Sequence, residues 1–229
     1  AKMEQHIGKD PALETKISYE LSKSGDTQVT NTVETYRKAK NKHFKNLEGS
    51  DILDYGSGLG LAAKELGLDS FEPYAKGVNT PTYTNPSQIN KKYEGIISNA
   101  VLNVLPMKQR VEAVRTIGDS LAVGGKAVVM VRSPGFIKSL KDPASYEDGV
   151  ITKGKGTFQK GFNRKELKDF VNSVLGKNFL VTDTSVGDVG ILITKLRETE
   201  EVESSEDVRE DDSPMDAYRD VGMSPGDFI

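Results

Sequence analysis

The stretch DILDYGSGLG, residues 51–60, places three glycines at alternate positions directly after a short apolar run. The run 51–55 predicts a buried strand, and LAAKELG (61–67) predicts a helix that ends at Gly67. Closely spaced glycines favour a turn with positive φ, where a ligand can lie against bare backbone at the start of a helix. The stretch therefore predicts a strand, a ligand-binding turn and a helix in succession.

The chain beyond this turn alternates between strand-like and helix-like segments. We predict strands at SFEPY (70–74), EGIISNAVLNV (94–104) and KAVVMVRS (126–133), helices at 106–125 and 163–176, and a closing hairpin of FLVTDT (179–184) and VGILITK (189–195). This order predicts an α/β fold with a mostly parallel sheet, helices on both faces and an antiparallel edge hairpin. Ligands of such sheets bind at the carboxyl ends of the strands.

Length and charge predict one core with two appendages. The 229 residues suffice for one full-sized domain, which we place at 48–197 after a helical extension at 1–47. Residues 198–229 hold twelve acidic and two basic residues, so a mildly basic body carries an acidic tail. We expect this tail to be disordered on its own. It can serve as a solubilising segment, as a docking peptide for a protein partner, or as a mimic of nucleic-acid charge.

The extension is predicted to be helical around NTVETYRKAKNKHFKNL (31–47). Asn31 and Glu34 resemble a capping box, and Val33, Tyr36, Phe44 and Leu47 follow at roughly helical spacing. The lysine-rich face of this helix is either solvated surface or a nucleic-acid contact.

Composition excludes several kinds of chemistry. The chain has no cysteine and two histidines, His6 and His43, so we expect no disulfide, no cysteine nucleophile and no metal site. It has no apolar run of about 18 residues and no signal-like amino terminus, so we expect a cytoplasmic protein without a membrane span. Catalysis would then depend on a bound cofactor or on oxygen and nitrogen side chains.

The spacing of the glycines discriminates between nucleotide ligands. The dinucleotide fingerprint G-x-G-x-x-G would need glycine at position 61, which is leucine. The pattern Asp54-x-Gly56-x-Gly58-x-Gly60 instead resembles motif I of class I S-adenosylmethionine-dependent methyltransferases. An acid at position 54 also suits a cationic amino-acid group better than a pyrophosphate.

This resemblance implies a Rossmann-like fold with a seven-stranded sheet and S-adenosyl-L-methionine as cofactor. Glu72, which closes the next strand, would accept hydrogen bonds from the ribose hydroxyls. The residues that would bind the cofactor are Asp54, Gly56, Ser57, Gly58, Gly60, Glu72, Pro73 and Asn99. No residue stands out for the adenine, for which Asn79, Asn85 and Gln88 are candidates.

A narrower resemblance covers roughly residues 50–176. The segments LDYGSGLG, FEPY, SNAVLNVLPMKQRVEAV and EDGVITKGKGTFQKGFNRKELKDFVNSVLG are similar to the DNA phosphorothioation-associated methyltransferases. This resemblance implies nucleic acid as the acceptor, with a phosphorothioate sulfur as one candidate. Phosphates would pair with basic residues around Phe158 in a loop above the sheet, namely Lys153, Lys155, Lys160, Arg164 and Lys165. The alternative is a lid packed by Phe158 and Phe162.

Four residues are predicted to approach the acceptor, namely Asn99, Arg132, Gln159 and Lys160. Arg132 could instead form an ion pair with Asp148, and Asn103 could be a helix cap. The motif of DNA amino-methyltransferases is missing after Ser98, and a cytosine-C5 enzyme would need a cysteine. The narrower resemblance nevertheless implies nucleic acid as our first acceptor, with a small molecule or a protein as alternatives. A non-catalytic cofactor-binding module that acts through its tail also stays open.

Overall fold

A computed structural model describes residues 33–76, 79–153 and 156–198. Asn31 of the predicted capping box, Lys155 and the acidic tail beyond Glu198 lie outside the described residues. The elements are, in chain order, α1 (Val33–His43), β1 (Ile52–Tyr55), α2 (Leu61–Leu66), β2 (Asp69–Phe71), β3 (Tyr93–Asn99), α3 (Met107–Ser120), β4 (Leu121–Val131), α4 (Pro134–Lys138), β5 (Ala144–Tyr146), β6 (Gly149–Ile151), β7 (Phe158–Gln159), α5 (Arg164–Leu175), β8 (Phe179–Thr184) and β9 (Val189–Lys195). Short 3₁₀ helices lie at Gly49–Asp51, Pro86–Gln88, Leu102–Val104 and Gly176–Asn178.

Within these ranges, six strands form the main sheet in the order β2-β1-β3-β4-β9-β8. β1 pairs in parallel with β2 and β3, and β3 pairs in parallel with β4. β9 runs antiparallel to both β4 and β8, which forms the predicted edge hairpin. The mostly parallel sheet is therefore confirmed, and the carboxyl ends of β1, β2 and β3 lie at one edge.

The predicted seventh strand is wrong for the described residues. Beside β2, Tyr83 forms only a single parallel bridge with Phe71. Its backbone nitrogen donates to Ser70 O at 2.9 Å, and its carbonyl accepts from Glu72 N at 3.1 Å. Pro81 and Pro86 flank this bridge and lack the N–H that a longer ladder requires. The bridge still fixes the backbone of Glu72 against its neighbour.

The start of β4 differs from the prediction of one helix over 106–125. α3 ends at Ser120, and Leu121 already pairs with Tyr93. The register then shifts, so that Gly95 pairs with Lys126. Gly124 allows this bulge because its φ of 80° is costly for other residues.

The sheet is covered on both faces, as predicted. On one face, Tyr36, Ala39 and Phe44 of the α1 region pack with Ala62 of α2 and Ile97 of β3. On the other face, α3 and α5 pack against the sheet through their buried apolar positions, which include Ala113, Val114, Ile117, Leu167 and Val171. No helix in the described part of the chain is long and apolar enough to cross a membrane.

The segment predicted as a loop above the sheet contains a small antiparallel sheet of β5, β6 and β7. Its own core consists of Tyr146, Ile151 and Phe158. Phe158 and Phe162 are both fully buried. The segment therefore agrees with the packed lid that we considered as the alternative to an open basic loop.

Candidate functional site

The glycine turn between β1 and α2 has the conformation that its sequence predicts. Gly56, Gly58 and Gly60 have φ values of 80°, 57° and 72°, which disfavour other residues. The amides of Gly56 and Ser57 both donate to Phe71 O, at 2.9 and 3.0 Å. The turn is thus tied to the end of β2 and presents backbone rather than side chains.

Asn79 supports this turn from outside. Its Nδ2 donates to Gly58 O at 2.6 Å, and a Cβ added to Gly60 would lie 2.2 Å from Asn79 Oδ1. Gln88 accepts hydrogen bonds from the backbone of Thr84 and Asn85 in an exposed 3₁₀ turn. Asn85 Oδ1 accepts from Ser87 N at 3.0 Å in the same exposed turn. Of the three candidates for the adenine contact, Asn79 therefore bonds the glycine turn itself, and Asn85 and Gln88 bond their own turn.

Glu72 follows β2 and faces the turn. Its Oε2 accepts from Gly58 N at 2.8 Å, and its Oε1 accepts from Tyr74 N at 3.1 Å. Burial raises the pKa of Glu72, while these two backbone hydrogen bonds oppose the rise. A carboxylate has about four acceptor positions, so each oxygen can accept one further donor.

A cavity opens between the turn, the end of β2, the end of β3 and one face of α3. We call it the glycine-turn cavity, and its wall contains residues 55–58, 71–74, 99–101 and 104–105, together with Tyr36, Pro86, Gln109, Glu112, Ala113 and Thr116. Gly56, Ser57, Gly58, Glu72, Pro73 and Asn99, which the sequence predicts for the cofactor, all lie on this wall. No lysine, arginine or histidine lies on it within the described ranges.

Asp54 lies beneath the cavity rather than on its wall. Its side chain is fully buried, and its Oδ1 accepts a hydrogen bond of 2.6 Å from Tyr36 Oη. Burial raises the pKa of Asp54 to about 7; the hydrogen bond from Tyr36 lowers it and the charge of Glu72 raises it. Burial and the Asp54 carboxylate in turn raise the pKa of Tyr36.

Tyr36 was missed as a site residue because its spacing fits the apolar stripe of α1. It lies on the cavity wall, between the ligand space and the buried carboxylate of Asp54. A tyrosine in the apolar stripe of a helix normally belongs to the hydrophobic core. Its position in the sequence therefore does not indicate a functional site. The contact across 18 residues exists only in the folded chain.

Of the four residues predicted for the acceptor, Asn99 lies on the cavity wall, and Ala100 beside it has a φ of 59°. Arg132 instead stacks over the ring of Phe136, with 5.2 Å from its guanidinium carbon to the ring centroid. Gln159 is buried and accepts a hydrogen bond of 3.2 Å from Asn103 Nδ2. Asn103 therefore ties the lid to the Leu102–Val104 turn rather than capping α3.

Lys160 is buried in an ion-pair cluster away from the glycine-turn cavity. Its Nζ lies 2.6 Å from Glu166 Oε1 and 3.4 Å from Asp148 Oδ2. The pair of Arg132 with Asp148, which we considered as an alternative, is wrong, because Arg110 holds Asp148 with two hydrogen bonds of 2.7 and 3.1 Å. Burial alone would raise the pKa of Asp148, but Arg110 and Lys160 hold it below its usual value.

The other described basic residues of the predicted cluster are exposed. Lys153 lies 3.9 Å from Asp142, and Lys165 is paired with Asp169 one helical turn along α5. Arg164 is exposed at the start of that helix. The described lysines of the predicted cluster thus already have carboxylate partners.

Among the described residues, no group of three or more histidine, cysteine, aspartate and glutamate side chains could hold a metal ion. No protein-family model matches the chain, and no curated protein matches it significantly.

Solved structures do match over most of the chain. An S-adenosylmethionine-dependent methyltransferase from Clostridium acetobutylicum is 12% identical with a TM-score of 0.53, over 79% of this chain and 98% of that one. A protein from Pyrococcus horikoshii is 14% identical with a TM-score of 0.52, over 70% and 87%. DesVI from Streptomyces venezuelae is 16% identical with a TM-score of 0.50, over 79% and 98%.

The chain therefore has the Rossmann-like fold of class I S-adenosylmethionine-dependent methyltransferases. The narrower resemblance to the DNA phosphorothioation-associated methyltransferases stays a prediction.

Proposed function

We propose that this protein is an S-adenosylmethionine-dependent methyltransferase that acts on a small molecule. The observation that carries the proposal is Glu72, whose two carboxylate oxygens are positioned by Gly58 N and Tyr74 N on the wall of the glycine-turn cavity. A carboxylate held in this way can accept both hydroxyls of a ribose.

The residues of the site fit the cofactor. Gly56 and Gly58 expose backbone on the cavity wall, and a Cβ added to Gly56 would lie 2.4 Å from Val101 Cγ2 on the same wall. S-adenosylmethionine brings its own leaving group, so the task of the protein is to align the methyl group with the acceptor. Glu72 and the turn would hold the ribose and the amino-acid part, and Asn99 lies where either cofactor or acceptor would pass.

The charge of the wall favours a neutral or cationic acceptor. Proteins hold phosphate backbones with lysine and arginine, and the described wall has none. Gln159 and Lys160, which we predicted to approach the acceptor, are buried in contacts of the lid. A small molecule that enters the cavity needs no basic surface, so we prefer this acceptor class to nucleic acid.

Calorimetric titration with S-adenosylmethionine and S-adenosylhomocysteine tests the cofactor. Removing a charged acceptor of two hydrogen bonds costs about 1.5–3 kcal/mol per bond, so Glu72→Ala should weaken binding by roughly 100-fold or more. Glu94→Ala, an exposed acid at the other end of β3, is the matched control and should bind like the wild type. No binding by the wild type would reject the proposed cofactor.

Transfer of a labelled methyl group tests the acceptor. The assay compares a panel of amine- and hydroxyl-bearing small molecules with DNA, phosphorothioate DNA and RNA. We expect label in a small molecule. Label in nucleic acid alone would reject the proposed acceptor class, and cofactor binding without label in any acceptor would favour the non-catalytic alternative.

A further inference from the structure

In the described part of the chain, the edge hairpin of β8 and β9 is covered by a helix on one face only. Phe179 and Val181 of β8 pack into the core beneath α5. Side chains alternate between the faces of a sheet, so Leu180 and Thr182 lie on the other face, and both are exposed. Their partners across the hairpin lie on the same face. We call this surface the hairpin face; its side chains are those of Leu180, Thr182, Leu192, Thr194 and Leu196.

The hairpin face is largely apolar. Leu180 and Leu196 are each 50% exposed, and Leu192 is half-buried. Leu192 packs at the margin of the cluster that α1 forms with the sheet, so α1 covers the face only as far as this residue. A group of exposed leucines on a sheet is typical of a surface that contacts another element.

Positive charge borders the hairpin face. Lys126 of β4 pairs with Thr194, and its side chain is exposed. At the end of α1, Lys42 is exposed and His43 Nε2 lies 2.8 Å from Thr184 Oγ1. Burial lowers the pKa of His43, and the charges of Lys42 and Lys126 lower it further. An element that covers this face therefore needs apolar residues flanked by acidic ones.

The chain contains such a segment before α1. The stretch LETKISYEL, residues 13–21, lies outside the described residues and has a large apolar residue at every fourth position. These residues are Leu13, Ile17 and Leu21. Their spacing predicts a helix with one apolar stripe. At about 100° per residue, Glu14 and Glu20 flank this stripe on its two sides.

The connection between this segment and α1 is long enough to reach the hairpin face. Residues 22–32, when extended, span up to about 35 Å. The 11 residues of α1 form a helix of about 16 Å, which begins at Val33 and ends beside the hairpin face at His43. The connection can therefore run from the start of α1 past its end.

We propose that residues 13–21 form an amphipathic helix that packs on the hairpin face. The apolar stripe of this helix covers the exposed leucines of the strands, and its two glutamates face the lysines at the border. The amino-terminal extension then belongs to the fold of the domain and completes the cover of its sheet. The inference does not depend on the proposed cofactor or acceptor.

Disulfide cross-linking in the full-length chain tests this contact. The chain has no cysteine, so two introduced cysteines report on one pair of positions. We expect Ile17→Cys/Leu180→Cys to form a disulfide within one chain about tenfold faster than Tyr19→Cys/Leu180→Cys, because Tyr19 lies on the opposite side of the predicted helix and a disulfide needs close Cα atoms. Ile17→Cys/Leu196→Cys is the second pair if the first variant does not fold. Non-reducing electrophoresis measures the rate.

A reversal of charge tests the border of the face. Lys126→Glu places a like charge before the two glutamates and should slow the disulfide of the first pair. Adding Glu14→Lys and Glu20→Lys should restore the rate. Lys108→Glu, an exposed change on α3 at the opposite face of the sheet, is the matched control and should leave the rate unchanged.

Three outcomes would overturn the proposal. Equal rates for the pairs with Ile17 and Tyr19 reject an oriented helix on this face. A faster disulfide of Ile17→Cys with Leu61→Cys, at an exposed leucine of α2, places the segment elsewhere. A covalent dimer in place of a cross-linked single chain assigns the hairpin face to a second copy of the protein.

Discussion

Tyr36 on α1 donates a hydrogen bond of 2.6 Å to the buried carboxylate of Asp54 at the end of β1. The sequence analysis assigned α1 to an extension outside the domain. The bond joins this helix to β1, the strand that leads into the glycine turn. Because Tyr36 also lines the cavity, α1 forms part of the candidate site. The second oxygen of Asp54 has no partner among the described residues, so the carboxylate depends on this single bond.

The raised pKa of Asp54 predicts that the stability of the protein depends on pH. Its pKa of about 7 in the folded state exceeds the value of about 3.9 expected when unfolded. The folded state therefore binds more protons between these values, and its stability falls as pH rises from about 4 to 7. Asp54→Asn cannot titrate at this position and should not lose this stability. In urea denaturation, its free energy of unfolding relative to that of the wild type should therefore rise by a few kcal/mol between pH 4 and 7, on the order of 1.4 kcal/mol per unit of pKa shift.

Asp119→Asn, an exposed change at the end of α3, should follow the wild type across the same pH range. A constant difference between Asp54→Asn and wild type from pH 4 to 8 would show that Asp54 is not perturbed.

The close approach of Asn79 to Gly60 predicts unequal effects of alanine at two similar glycines. Gly60 and Gly67 have φ values of 72° and 65°, so alanine at either should cost about 1–2 kcal/mol of backbone strain. A Cβ at Gly67 meets nothing within 4 Å, whereas a Cβ at Gly60 collides with Asn79. Gly60→Ala should therefore lower the free energy of unfolding more than Gly67→Ala does. It should also weaken the binding of S-adenosylhomocysteine measured by calorimetry. Equal effects of the two changes would contradict the role of Asn79.

The ion pair of Arg110 with Asp148 predicts that the stability of the protein depends strongly on Arg110. Its side chain is fully buried, binds Asp148 with two hydrogen bonds and donates to the carbonyls of Leu102 and Leu105. Breaking a buried pair costs about 3–5 kcal/mol, and we expect about 3 for Arg110→Met because Asp148 is partly exposed. Arg115→Met, exposed on the same helix, should change the unfolding free energy by less than about 0.5 kcal/mol. Similar values for the two variants would contradict this account.

The buried amide pair predicts a structural role for Gln159. Gln159→Leu leaves Asn103 Nδ2 without its partner and should cost about 1–3 kcal/mol of stability. The double variant Asn103→Leu/Gln159→Leu should recover part of this loss, since both polar groups are then removed. S-adenosylhomocysteine affinity should stay within about twofold in both, because neither residue lines the cavity. Loss of affinity at unchanged stability would return Gln159 to the active site.

Local patterns of apolar residues predicted much of the fold because their spacing shows which face of a helix or strand is buried. Alternation of strand and helix predicted the mostly parallel sheet, and the positions of Leu167 and Val171 on α5 predicted its buried face. The seventh strand was implied by the resemblance and had no counterpart in the local sequence, and Tyr83, which lies between prolines, forms only one bridge. The lid was read as a loop because β5 to β7 have two or three residues each, too few to show a period.

By itself, the sequence determined the glycine turn, the acid that faces it and the class of fold. The turn and the acid lie within about 20 residues of each other, and the class of fold follows from the order of strands and helices along the chain. Tertiary structure alone decided that Tyr36 joins the site and that Arg110 rather than Arg132 holds Asp148. These contacts form between elements that are distant in the sequence. Such contacts produce no periodic pattern or fixed residue spacing from which they could be predicted.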